Sequence, residues 1–506
     1  MNRSLGVMLG SLALAGVLIA SLVGGKSLWP RAGSDRTAGA PVLLYCAVAN
    51  REAIEAIRAD YQREFGREVE IQYGPSQTLL SSIEVSGTGD LYLPADESFL
   101  TLGKEKGLIE ETIDIARMQA VLVVRRDAAE RFQTFDDLLA DDVRLVQASP
   151  DASAIGKMTR QALERAGFWE RLDAATDAYR TTVSEVANDV LVGAADVGIV
   201  YDAVLHGYPD LKAVQLDVLE PIESPVTIGV ISSSRQPSAA LHFARYVSAK
   251  DRGMVRFAEH GFETAPGDAW SDAPELSLFI GSMLRPAVEK TIVEFEQREG
   301  VRVTRVYNGC GILVAQMKSG LHPDAYFACD TEFMDQVVDL FPNPVPISRN
   351  VLVIAVPKGN PKNIRSLQDL TQPGIMLGIG HQQQSAMGWL TQNTFRESGL
   401  RDQLLANVQM ETPSGDMLVN QMQAGSLDAA IVYRSHATTA AEFLDAVPIE
   451  GIAAAIATQP WAVSHESQYP QLATRLYERI NSAESRRVFE IEGFGLVEQN
   501  ELAAND

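Results

Sequence analysis

Two tyrosines sit in matching surroundings. Tyr201 ends the apolar run Val197–Val200 in GIVYDA, and Tyr433 ends Ala429–Val432 in AAIVYRS, 232 residues later. A phenol leaving a strand can donate its O–H to a ligand while its ring packs on the core. Four loops recur at nearly the same spacing: Ala47–Asn50 with Gly281–Leu284, Gly74–Gln77 with Asn308–Gly311, Ala152–Gly156 with Gln384–Gly388, and Thr181–Ser184 with Pro413–Asp416. They are rich in Ser, Thr, Gly and Asn, and most open a helix. The first N–H groups of a helix have no intrahelical partner and bind anions, and hydroxyls add further donors. No Lys or Arg lies inside the loops; Arg51 and Arg285 stand on their flanks. Such a set suits a small desolvated oxyanion or a polar organic acid held by neutral donors.

Other chemistry has little support. GxSxG, HExxH, P-loop and strand–helix GxGxxG patterns do not occur. The seven histidines are scattered without ligand spacing and read mostly as surface residues, with His381 beside a candidate loop. The three cysteines, Cys46, Cys310 and Cys329, show no metal-site spacing, and their odd number leaves at least one free. Cys310 stands in the loop where the first copy has Ser76. It reads as a buried small residue, a weak S–H donor or a reactive thiol.

The elements around these loops repeat as well. Val42–Cys46 reads as a buried strand. The helix Glu52–Phe65 places Ile54, Ile57, Tyr61 and Phe65 on one face before Gly66. Val69, Ile71 and Tyr73 alternate as a strand, followed by a helix Thr78–Val85 and the strand Asp90–Leu93. At a spacing of about 234, Leu278–Gly281 repeats the first strand and Pro286 opens the helix that ends at Gly300. Asp324–Asp330 repeats Asp90–Asp96, and Gly493-Phe494 repeats Gly261-Phe262. A repeat of over 200 residues is a whole domain, not a solenoid unit. Alternating strands and helices predict an α/β fold with a mostly parallel sheet in each copy, ligands lying at the carboxyl ends of the strands.

The expected organisation is an N-terminal signal or membrane segment (1–28), a tether (29–41), a first domain (42–268), a linker (269–275), a second domain (276–499) and a tail (500–506). Leu5–Gly25 is apolar and long enough to span a bilayer, so an anchor is preferred over a cleaved signal, and the body is expected outside the cytoplasm. With 43 Lys+Arg against 66 Asp+Glu, the net charge of −23 is the reverse of what a non-specific nucleic-acid binder needs. No cofactor is expected.

These residues resemble the molybdate/tungstate-type periplasmic solute-binding proteins of the type II fold. The resemblance covers both copies and is most specific in Asp90–Asp96 (DLYLPAD) and Gly198–Ala203 (GIVYDA). It implies two tandem domains, each of two lobes closing on a small oxyanion or related anion, delivered to the permease of an ABC transporter. It also implies the donors: Ser76, Tyr201 and the backbone N–H groups of Ile155 and Val183 in the first copy; Ser282, Cys310, Met387, Gly415 and Tyr433 in the second. The pattern departs at Val48-Ala49, where a ligand hydroxyl is expected, and at Cys310 in place of the second serine. The alternative is a membrane-anchored sensor or docking module with one or both clefts degenerate.

Overall fold

The computed structural model describes residues 40–497. The segment expected over 1–28, the tether over 29–41 up to residue 39, and the tail over 500–506 lie outside the described residues. Among the described residues, no helix is long and apolar enough to cross a membrane.

The first copy has ten strands: β1 (Val42–Ala47), β2 (Val69–Gly74), β3 (Leu91–Leu93), β4 (Ile109–Arg125), β5 (Leu145–Ala148), β6 (Thr176–Arg180), β7 (Val197–Tyr201), β8 (Leu211–Val214), β9 (Glu223–Ile231) and β10 (Glu263–Thr264). The second repeats them as β11 (Glu275–Gly281), β12 (Arg302–Asn308), β13 (Ala325–Phe327), β14 (Val345–Pro357), β15 (Leu377–Gly380), β16 (Val408–Thr412), β17 (Ala429–Tyr433), β18 (Leu444–Pro448), β19 (Ile456–Val463) and β20 (Gly495–Leu496). Strand order is β2-β1-β3-β9-β4-β7-β5-β6 and β12-β11-β13-β19-β14-β17-β15-β16. The tandem α/β organisation expected from the repeat is therefore present.

Each copy holds two parallel three-stranded cores, β2-β1-β3 and β6-β5-β7 in the first. The long strand β4 joins them. Its first part, from Ile109 to Gln119, runs antiparallel to β9, and Ala120–Val124 runs antiparallel to β7. In the second copy β14 pairs with β19 up to Val351 and with β17 from Leu352. One strand shared by two half-sheets divides each copy into two lobes.

The helices follow their sequence periodicity. Arg51–Phe65 buries Ala53, Ile54, Ile57 and Tyr61 and stops at Gly66, whose φ of 66° suits glycine. Arg285–Glu299 does the same with Val288, Ile292 and Phe295 and stops at Gly300, φ 68°. The helix expected from Thr78 begins earlier, at Ser76, because Pro75 is extended and its carbonyl accepts the Leu79 N–H.

At the start of the segment expected as a linker (269–275), Ala269 N–H donates to the Gln468 carbonyl at 2.9 Å, and the residue before it is also docked on the second copy. Asp268 is buried, and its carboxylate accepts the N–H groups of Gln471 and Leu472 in the first turn of the helix Pro470–Ile480. Glu299, only 1% exposed, accepts from Arg475 at 2.7 and 3.1 Å and from Arg245 of the first copy at 3.1 Å. Arg298 pairs with Glu110 and Glu111 across the same junction. The two copies thus share a buried ionic contact.

Candidate functional site

In the first copy, the loops leaving β1, β2, β3, β5, β6 and β7 converge on a cavity of 20 Å³ lined by Val48, Ala49, Pro75, Ser76, Ala95, Ser153, Ala154, Thr182, Val183 and Tyr201, among others. It lies at the carboxyl ends of both parallel cores, where an α/β sheet offers helix N-termini. A wider cavity of 420 Å³ adjoins it through Val48, Ala49 and Thr182 and reaches Arg51, Ser184, Val204 and His260. Ser76, Val183 and Tyr201 from the sequence reading meet here. Ile155, the second residue of the helix Ala154–Ala166, is buried, while its neighbours Ser153 and Ala154 reach the cavity wall.

Ser76 is 2% exposed, and its Oγ accepts the Ala95 N–H at 3.1 Å. In the second copy Cys310 Sγ accepts the Cys329 N–H at 3.1 Å, so the sulfur keeps the acceptor role. Its S–H is a weaker donor than a hydroxyl. Cys46, Cys310 and Cys329 are all free and buried. Burial pushes the Cys46 thiol far up. The hydrogen bond from Cys310 and then burial raise Cys329. A buried, protonated thiol is unreactive.

Tyr201 and Tyr433 are each 1% exposed, and burial raises both phenols far above their ordinary range. Both therefore remain O–H donors. Their surroundings differ. Tyr201 O–H reaches Met158 Sδ at 3.9 Å, and the Ser224 hydroxyl also acts on it. At the strand position of Ser224 the second copy has Ala457, at Met158 it has Leu390, and the Tyr433 O–H has no hydrogen-bond partner.

The helix N-termini opposite these phenols also differ. Val183–Leu191 carries a capping box: Thr182 Oγ1 accepts the Glu185 N–H at 3.3 Å, and Glu185 Oε2 accepts the N–H groups of Thr181 and Thr182 at 2.9 and 3.1 Å. A carboxylate thus already faces that end. Gly415–Gln423 has Met417 at the place of Glu185, and no side chain caps it.

The second cleft is drawn together. Gly311 N–H donates to the Gln384 carbonyl at 3.2 Å across the lobes. A Cβ on Gly309 would collide with the carbonyl oxygens of Pro413 and Gln384, and one on Gly311 with that of Gln383. The first copy has Pro75 and Gln77 at these positions, and its loops leave a cavity of 20 Å³. His381, beside this loop, has a structural part: its Nδ1 accepts the N–H groups of Gln383 and Gln384. Gly309→Ala is expected to wedge the second cleft open without removing a donor. Small-angle scattering would record a larger radius of gyration, and an unchanged radius would contradict this contact.

His436 departs from the surface reading. It is buried, its ring stacks on Tyr433 at 6.0 Å between centroids, and neither ring nitrogen has a hydrogen-bond partner. Gly415 makes room for it, since a Cβ there would overlap the imidazole. The first copy has Val183 and Val204 where the second has Gly415 and His436, so comparing the copies at a spacing of 232 reveals the exchange.

The family model for bacterial extracellular solute-binding proteins matches residues 42–263 and again 276–495. The molybdate-binding protein ModA of Mycobacterium tuberculosis is 28% identical over 246 residues, 48% of this chain and 92% of the relative. A putative binding protein of Haemophilus influenzae is 28% identical over 223 residues, 44% of this chain and 91% of the relative. Among solved structures, the sulfate-binding protein SubI from Mycobacterium tuberculosis aligns with TM-score 0.41 and 20% identity over 46% of this chain and 90% of its own. The Azotobacter vinelandii periplasmic molybdate-binding protein aligns with TM-score 0.40 and 16% identity over 44% and 100%. The chain belongs to the bacterial extracellular solute-binding proteins and carries two tandem copies of the family's unit.

Proposed function

We propose that this protein captures a small oxyanion of the molybdate, tungstate or sulfate type, or a related small anion, outside the cytoplasm and hands it to the permease of an ABC transporter. The carrying observation is Tyr433: a buried, unpartnered phenol opposite an uncapped helix N-terminus. The donors are Ser76, Tyr201 and the N–H groups of Ile155 and Val183 in the first cleft. In the second they are Ser282, Cys310, Tyr433 and the N–H groups of Met387 and Gly415. The relatives matched are named as binding proteins, which favours binding over catalysis. Residues 5–25 would hold the chain at the membrane.

A thermal-shift panel with molybdate, tungstate, sulfate, phosphate and small carboxylates tests this. An anion at 100 times its dissociation constant should stabilise its copy by about 2.7 kcal/mol. No shift with any of them would overturn the proposal. A second reading gives binding to the second copy alone, the first serving as a docking module. Glu185 favours it, because its carboxylate already accepts the Thr181 and Thr182 N–H groups at the helix N-terminus of the first cleft, whereas Asp416, in the first turn of Gly415–Gln423, leaves that N-terminus uncapped.

A further inference from the structure

His436 is a polar side chain 6% exposed with nothing bonded to either nitrogen. Leaving such a group unpaired costs about 1–3 kcal/mol, so its place in the second cleft calls for a partner. The ring lies between Tyr433 at the end of β17 and Gly415 at the open N-terminus of the helix Gly415–Gln423. Its Nε2 is 3.9 Å from Asp416 Oδ1. In the first copy the equivalent position, Val204, lines the outer cavity and cannot hydrogen-bond.

The charged groups on the surrounding elements narrow the chemistry. Arg434, which opens the helix Arg434–Thr439 that carries His436, donates to the Gly493 carbonyl. Asp445 on β18 is paired with Lys358, and Arg349 on β14 lies where that strand meets Gly495. Asp416 is the group that acts on the imidazole, and Asp330 faces the neighbouring phenol. A neutral imidazole has one donor and one acceptor nitrogen. A fully deprotonated oxyanion on one side accepts an N–H, and the Asp416 carboxylate, 3.9 Å away on the other, favours a proton on Nε2. The imidazolium, with an N–H on each nitrogen, serves both.

We propose that His436 is the specificity-determining residue of the second cleft, an imidazole that takes up one proton from solvent as a tetrahedral dianion binds, donating Nδ1–H to the anion and Nε2–H toward Asp416. This rests on the oxyanion reading above. Before binding, burial lowers the pKa of the ring, with Asp416 partly offsetting it, so it is neutral at pH 7. An anion raises it. Between the lowered free value and the raised bound value, affinity falls as pH rises, by up to about tenfold per unit.

Isothermal titration of the full chain with sodium molybdate, sulfate and phosphate, in buffers of different ionisation enthalpy from pH 5.5 to 8, reads the protons taken up per anion. The expected result is close to one at pH 7 for the second cleft. His436→Val, which installs the residue of the first copy, should abolish the uptake, flatten the pH slope and weaken binding about tenfold. His436→Gln keeps a donor, so it should retain part of the affinity without the uptake, and it carries the test if the valine variant does not fold. Asp330, pushed up by burial to about 6, titrates in the same window. If Asp330→Asn removes the uptake and His436→Val does not, the proposal is overturned. Binding with no proton uptake overturns it alone; no binding with any probe overturns it together with the oxyanion reading.

Discussion

Tyr433→Phe is expected to weaken oxyanion capture by the second cleft roughly 10- to 100-fold. The phenol is buried, protonated and unpartnered, so its whole donor capacity is available to a ligand. A hydrogen bond to a charged group contributes about 1.5–3 kcal/mol, and each 1.4 kcal/mol is tenfold in affinity. Phenylalanine keeps the ring and its packing, so folding should hold. The same change at Tyr201 should cost less, because that hydroxyl already has Met158 and Ser224 as neighbours. Titration calorimetry on both variants checks the ordering. Unchanged affinity in the Tyr433 variant would remove the phenol from the site.

Glu299→Gln is expected to give the largest loss of stability. Arg245 and Arg475 are 6% and 4% exposed, and Glu299 is their shared carboxylate. Without it two guanidinium groups stay buried next to one another. Breaking a buried pair in this way costs about 3–5 kcal/mol, a fall in unfolding midpoint on the order of 10 °C. The pH dependence has a definite sign. Burial alone would raise the Glu299 carboxyl, but Arg475 and then Arg245 outweigh it, and the net value is below the ordinary one. The stability it contributes is therefore present above its unfolded pKa and is lost as pH falls through the folded pKa. In the variant that acid-side loss should shrink. A midpoint within a degree of the parent would show that the junction does not hold the copies together.

Much of this architecture is legible in the chain. The repeat, the strand–helix alternation and the loops at the strand ends all rest on local patterns that survive duplication, such as Gly66 with Gly300 and Tyr201 with Tyr433. Helix starts slip where backbone geometry decides, as at Ser76 after Pro75. The ionic junction was not legible, because Arg245, Glu299 and Arg475 share no local spacing and meet only when two helices of one copy dock on the other. His436 was hidden for a related reason. A histidine following a strand reads as surface, and its burial depends on Gly415, 21 residues earlier, giving up a side chain. The closeness of the second cleft is likewise written in two glycines, Gly309 and Gly311, whose effect depends on carbonyl groups of the opposite lobe.

Native mass spectrometry of the purified chain incubated with molybdate or sulfate tests the central claim most directly. The expected spectrum retains an oxyanion, and Tyr433→Phe loses the copy held by the second cleft at the same concentration. A spectrum showing only the bare chain with every oxyanion, or an adduct untouched by changing either tyrosine, would contradict it.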